Sequence, residues 1–121
     1  MQQTGRVILV VDDDSGVREI VAESLELHGY HVLTANEGVA ALALVEQRPE
    51  VGLVISDIRM PGLSGLALAD RVVAIRAGIR VILISGYFHP QEMKVRFLKK
   101  PFTIHQLQVA VEAEFMSTQS G

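Results

Sequence analysis

The chain alternates unbroken apolar strings with stretches of helical periodicity, and few folds satisfy that alternation. Val7-Ile8-Leu9-Val10-Val11, Val51 to Ser56 and Val81-Ile82-Leu83-Ile84 read as strands buried on both faces of a sheet. Between them lie helical stripes: Val17, Ile20, Val21 and Leu25 after Ser15; Leu66, Ala69, Val72 and Val73 after Ser64 as N-cap; Ile104, Leu107, Ala110 and Val111 after Thr103. A further helix runs from about Gly38 to Gln47 and stops before Pro49. Gly29 and Gly78 stand where helices end in a left-handed residue. His31 to Ala35 is a shorter, less apolar strand suited to a sheet edge, and Val95 to Leu98 resumes strand character. Strict alternation with right-handed crossovers predicts an α/β fold, a doubly wound parallel sheet of five strands with four or five helices.

Composition removes most other classes. A chain of 121 residues with 49% hydrophobic and 21% charged residues is neither disordered nor low-complexity. About two-thirds of its surface is expected to be buried on folding, enough for one ordinary core. We expect one domain over 1–121, with a core of about 6–116 and tails at 1–5 and 117–121. Zero Cys excludes disulfides, thiol catalysis and Cys-based zinc sites, and suits a reducing compartment, so the expected address is cytoplasmic. A net charge of −3 supplies no basic field for direct binding of nucleic acid. No apolar run approaches the length of a membrane span, and no signal-peptide segment opens the chain.

In doubly wound sheets, ligands bind outside the carboxyl ends of the strands. Asp12 and Asp13 follow the first strand, Asp57 ends the third, Ser85 closes the fourth and Lys100 follows the fifth. Each has a plain structural reading: a helix cap, a turn-holding acid, a satisfied hydroxyl, a solvated lysine. Together they occupy equivalent ends of four strands, and that coincidence marks a site. Crowded carboxylates call for a cation. Oxygen-only ligation without Cys or a nearby His points to Mg²⁺, which keeps waters and uses one or two carboxylates with phosphate oxygens. A carboxylate there can attack phosphorus while the metal, ammonium and hydroxyl offset charge on the phosphoryl oxygens. The chemistry indicated is aspartyl phosphorylation.

These residues resemble the receiver domain of two-component response regulators over nearly the whole chain. Val10-Val11-Asp12-Asp13 resembles the family's acidic pair, and Asp57-Ile58-Arg59-Met60-Pro61-Gly62 its phosphoacceptor turn. Ser85-Gly86 resembles its hydroxyl position, and Phe97-Leu98-Lys99-Lys100-Pro101-Phe102 its switch aromatic and lysine. The resemblance implies a flavodoxin-like sheet of strand order 2-1-3-4-5. It implies Asp57 as the residue phosphorylated from a sensor histidine kinase or a histidine phosphotransfer protein. It further implies Mg²⁺ held by Asp13, Asp57 and the backbone carbonyl of Arg59, with Asp12 acting through water. Ser85 would donate to a phosphoryl oxygen, Lys100 would pair with the phosphate, and Ser85 and Phe97 would form the switch. Arg59 and Tyr87, two positions beyond nucleophile and hydroxyl, would tune the phosphoryl lifetime; both are bulky, so slow self-dephosphorylation is expected. A cis Lys100–Pro101 bond is also implied. Beyond self-phosphorylation from a donor and self-dephosphorylation, no enzyme activity is expected.

One departure stands out: only 11 residues separate Ser85 from Phe97, about two helical turns fewer than receivers usually have. The helix between strands four and five should be short or disordered, and Gly86 and Pro90 break a segment with few apolar anchors, so mobility is expected. Gly86-Tyr87 resembles a pair found in atypical receivers lacking an ordered helix there. Three rivals remain. A flavodoxin-type electron carrier needs a hydroxyl- and Gly-rich phosphate loop where Asp12-Asp13-Asp14 stands. A haloacid dehalogenase-type hydrolase needs Asp-x-Asp-x-Thr or Val, and Gly16 occupies that last position. A degenerate receiver serving as a phosphorylation-independent interaction module fits the altered segment. His28, His31, His89 and His105 show no metal spacing, and Lys94, Arg96 and Lys99 read as a solvated edge. The length leaves no room for an effector domain, so a stand-alone receiver or one excised from a larger protein is expected.

Overall fold

The computed structural model describes residues 6–86 and 95–117. Strands β1 (Val7–Val11), β2 (Val32–Ala35), β3 (Val51–Asp57), β4 (Arg80–Ser85) and β5 (Arg96–Lys99) form one parallel sheet. Its order is β2-β1-β3-β4-β5, as the resemblance implies. Helices α1 (Ser15–Leu27), α2 (Gly38–Gln47), α3 (Gly65–Ile75) and α4 (Ile104–Ser117) complete the described elements. Tyr87 and most of the segment expected to be a short or disordered helix, 87–94, lie outside the described residues.

The unbroken apolar strings follow from burial on both faces, with alternate residues serving opposite layers. Leu9, Val11, Val54, Val81 and Leu83 face one layer, packed with Ala41 and Val45 of α2 and Leu68 and Val72 of α3. Ile8, Val10, Leu53, Ile55, Ile82 and Ile84 face the other, packed with Val21 and Leu25 of α1 and Leu107 and Val111 of α4. Each fully buried aliphatic side chain contributes about 1.5–3 kcal/mol. At the β2 edge Val32 and Leu33 are only half-buried, as their weaker apolar pattern predicts.

Four expected inward positions instead face out. Ile20 is 64% exposed, Ile104 50%, Leu66 45% and Val73 44%. Ile20, Leu66 and Val73 each sit one residue, about 100° of rotation, from a buried neighbour, and a single sheet face covers only a narrow stripe. On α1 the buried place goes to Ser24, whose hydroxyl donates within the helix to the carbonyls of Ile20 and Val21 at 3.0 Å. Helix ends follow the local chemistry. Asp14 accepts from the N–H of Gly16 (2.9 Å) and Val17 (3.2 Å), and Ser64 from that of Ala67 (3.2 Å). Thr103 and Gln106 cap each other's N–H at 3.0 and 2.8 Å. Gly29 and Gly78 take φ of 92° and 96°. Arg76 donates to the carbonyls of Val45 (2.6 Å) and Val51 (2.7 Å), tying the end of α2 to the start of β3.

Candidate functional site

Ladder register brings the strand ends level. Val11 pairs with Ser56, Asp57 with Ile84 and Ser85 with Lys99. Two backbone bonds carry the pattern past the sheet: Ile58 N–H donates to Ile84 O at 2.9 Å, and Lys100 N–H to Ser85 O at 2.8 Å. Strand β4 therefore places Asp57 on one side of itself and Lys100 on the other.

There Lys100 Nζ lies 2.9 Å from Asp57 Oδ1. Asp57 Oδ2 accepts from the backbone N–H of Arg59 at 3.1 Å, while the Arg59 side chain is exposed. Asp57 is 8% exposed, Asp12 4% and Ser85 2%. Asp12 is tied through its N–H to Ala35 O at 3.2 Å and through Oδ1 to the N–H of Asp14 at 2.9 Å. Asp13, next along the turn, is exposed. Phe97 is half-buried against the layer that holds Leu83, its partner across β4 and β5. The Lys100–Pro101 bond is cis.

The electrostatics bear on the cation. Burial pushes the Asp12 carboxyl above its ordinary value, the Asp14 N–H opposes this, and the charge on Asp57 adds to the rise. Burial alone would lower the Lys100 pKa; its hydrogen bond to Asp57 and the charges on Asp57, Asp12 and Asp14 outweigh that and raise it. One ammonium thus faces several acids. Among the described residues no three acidic or imidazole side chains form a ready metal cage. Mg²⁺ needs none, since it retains waters and takes only one or two carboxylates. The all-oxygen donors fit that ion, which would offset the burial and repulsion acting on Asp12.

Asp12, Asp13, Asp57, Ser85 and Lys100 thus share the rim that their strand-end positions predict. Three contributors escape a reading of sequence alone. Ser56, fully buried, donates its hydroxyl to the Asp57 carbonyl at 2.9 Å. Gly65 opens α3 directly against the Asp57 backbone: a Cβ there would stand 2.9 Å from Ile58 Cα and 3.0 Å from the Asp57 carbonyl carbon. A glycine inside a helix start, where propensity disfavours it, was the available signal. Arg18 reaches back from α1 to the Asp12 carbonyl, and no spacing rule announces that contact. Beside Lys100, an apolar groove of about 290 Å³ runs between α1 and α4, lined by Val17, Ile20, Ile104 and Leu107 among others.

The family profile described as response regulator receiver domain matches residues 8–112. The chain is 34% identical over 113 residues to sporulation initiation phosphotransferase F of Bacillus subtilis, covering 87% of this chain and 90% of that protein. It is equally identical, over the same length, to sensor kinase CckA of Brucella abortus, but there it spans only 12% of the relative. The response regulator receiver protein CpdR of Brucella abortus is 31% identical, with 87% and 92% covered. Among solved structures, the receiver domain of the hybrid histidine kinase CckA superposes with a TM-score of 0.81 at 37% identity, covering 89% of this chain and 97% of that one. Profile, relatives and superposition all span most of the chain, and the protein belongs to the response regulator receiver family, the phosphoacceptor domains of two-component signalling.

Proposed function

We infer that Asp57 is the phosphoacceptor and that its phosphoryl group comes from the phosphohistidine of a sensor histidine kinase or a histidine phosphotransfer protein. The observation that carries this reading is the 2.9 Å contact between Lys100 Nζ and Asp57 Oδ1 at a rim shared with Asp12. A carboxylate oxygen attacks phosphorus in line; the P–N bond breaks with its electron pair returning to the imidazole, which takes up a proton. Lys100 then exchanges the carboxylate for a phosphoryl oxygen, and the Ser85 hydroxyl donates to another. Receivers generally bind Mg²⁺ at such an acidic pocket. Here Asp13, Asp57 and the Arg59 carbonyl would hold it, with Asp12 acting through water. When bound, it supplies positive charge to the phosphoryl oxygens.

The pull on Ser85 draws the end of β4 inward, and Phe97 turns toward the space this opens. Such a switch needs contacts that differ between two states, and the charge-assisted bonds to phosphate provide them. Arg59, with its side chain exposed two positions beyond Asp57, would border the approach of hydrolytic water and slow the loss of phosphate. The domain's own chemistry is confined to taking up and releasing the phosphoryl group. The apolar groove beside Lys100 supports a donor carried on a protein surface rather than small phosphodonors alone.

Incubation with a small phosphodonor tests this reading. Wild type should gain one phosphoryl group with Mg²⁺ and none with chelator, and Asp57→Asn should gain none. Equal labelling of Asp57→Asn would remove the assignment; no labelling of any form favours the phosphorylation-independent interaction module.

A further inference from the structure

Arg18 stands one turn into α1, yet its Nη1 donates to the backbone carbonyl of Asp12 at 2.8 Å. Its own backbone N–H donates to Asp14 O at 2.9 Å. The helix is therefore bound to the acidic turn at two points. Asp12 in turn is held by three groups: Ala35 O at its N–H, the Asp14 N–H at Oδ1, and the Arg18 guanidinium at its carbonyl. Among the described residues, Arg18 forms no ion pair within 4.0 Å with any acid of the turn. The guanidinium takes the neutral Asp12 carbonyl, while the carboxylates of Asp12 and Asp14 take backbone N–H groups.

We propose that Arg18 is a positioning residue that fixes the Asp12–Asp13 turn in the shape that accepts a divalent cation. This rests on reading the acidic rim as a Mg²⁺ site. Two effects oppose each other. The positive charge of Arg18 repels an incoming cation, but through solvent and salt at a half-exposed position that repulsion is screened. The charge-assisted hydrogen bond prevents the turn from spreading under the repulsion of its own acids, and it is not screened in the same way. The second effect outweighs the first, and the sign of one substitution tests this.

Mg²⁺ alone, titrated into the full chain and followed by the amide shifts of residues 12–14, is the test. Arg18→Met keeps the aliphatic stem but loses charge and donors. It should bind Mg²⁺ about fivefold to tenfold more weakly than wild type, although a positive charge has gone. Arg18→Lys, with one ammonium to offer the carbonyl, should recover most of the loss. Should Arg18→Met fail to fold, Arg18→Gln takes its place with the same expected direction. Equal or tighter binding by the neutral variant overturns the role of Arg18 while leaving the functional reading intact. A wild type that takes up no Mg²⁺ removes both.

Discussion

Lys100 Nζ and Asp57 Oδ1 meet at 2.9 Å because β4 stands between β3 and β5 and pairs with both. Neither side chain reaches the other through its own loop. The contact depends on the Ser85 carbonyl holding the Lys100 backbone and on the Ile84 carbonyl holding that of Ile58. The Ser85 carbonyl is thus the main-chain link through which a pull on Ser85 would reach the lysine.

Lys100→Met should slow phosphorylation from a small donor by about two orders of magnitude, the loss expected for one preorganised group at developing charge. The raised pKa of Lys100 also fixes a pH dependence. A base held above its unfolded value stabilises the fold fully below about pH 10.4, and that contribution disappears as pH rises through the higher folded value. Urea midpoints of wild type and Lys100→Met should differ by a constant amount from pH 7 to about 10 and converge above it. Convergence already near pH 8 would contradict the pairing with Asp57.

Asp12 runs the other way. Its folded pKa is raised by burial and by Asp57, so the ionised form costs stability at neutral pH, and the cost vanishes below the ordinary aspartate value of about 3.9. In chelator at pH 7, Asp12→Asn should raise the thermal midpoint by a few degrees, with the gain fading in acid. The same variant should bind Mg²⁺ more weakly. A lower midpoint at pH 7 would show that the acid is stabilised by partners other than those described.

Gly65→Ala forces a methyl group against the backbone of Asp57 and Ile58 and should cost about 1–3 kcal/mol in urea unfolding. Gly86→Ala meets nothing within 4 Å among the described residues and should stay within about 0.5 kcal/mol of wild type. Similar losses at both glycines would refute a specific close approach.

Glu114, 6% exposed, pairs through its two oxygens with Arg80 Nε at 3.0 Å and Arg96 Nε at 2.6 Å, joining α4 to the starts of β4 and β5. Both arginines keep about a third or more of their side chains in solvent, so its removal strands less charge than a fully buried pair would. Glu114→Ala should destabilise by about 1–3 kcal/mol, measured by urea unfolding at pH 7. A neutral result would assign the pair to surface decoration.

The fold was legible because residues such as Ile8, Val10, Leu53 and Ile82 are buried on a sheet covered on both faces, which writes itself as runs without polar interruption. The rim was legible for a topological reason: Asp12, Asp57, Ser85 and Lys100 occupy equivalent strand ends. Local caps such as Ser64 and Thr103 bond to N–H groups within three residues and need no tertiary knowledge. Contacts decided by packing were not legible. Arg76 finds the Val45 carbonyl, Glu114 collects Arg80 and Arg96, and Gly65 presses on Asp57 only once the layers are assembled. Ile20 and Leu66 fit a helical stripe in sequence yet fall outside the arc that one sheet face can cover.

Borohydride trapping of the chain after reaction with a phosphodonor tests whether Asp57 is the residue that carries the phosphoryl group. Reduction converts an aspartyl phosphate to homoserine, which peptide mass spectrometry locates. Homoserine is expected at position 57 alone, formed with donor and Mg²⁺ together and absent when either is withheld. Homoserine at position 12 or 13, or at none while the chain still gains a phosphoryl group, would contradict it.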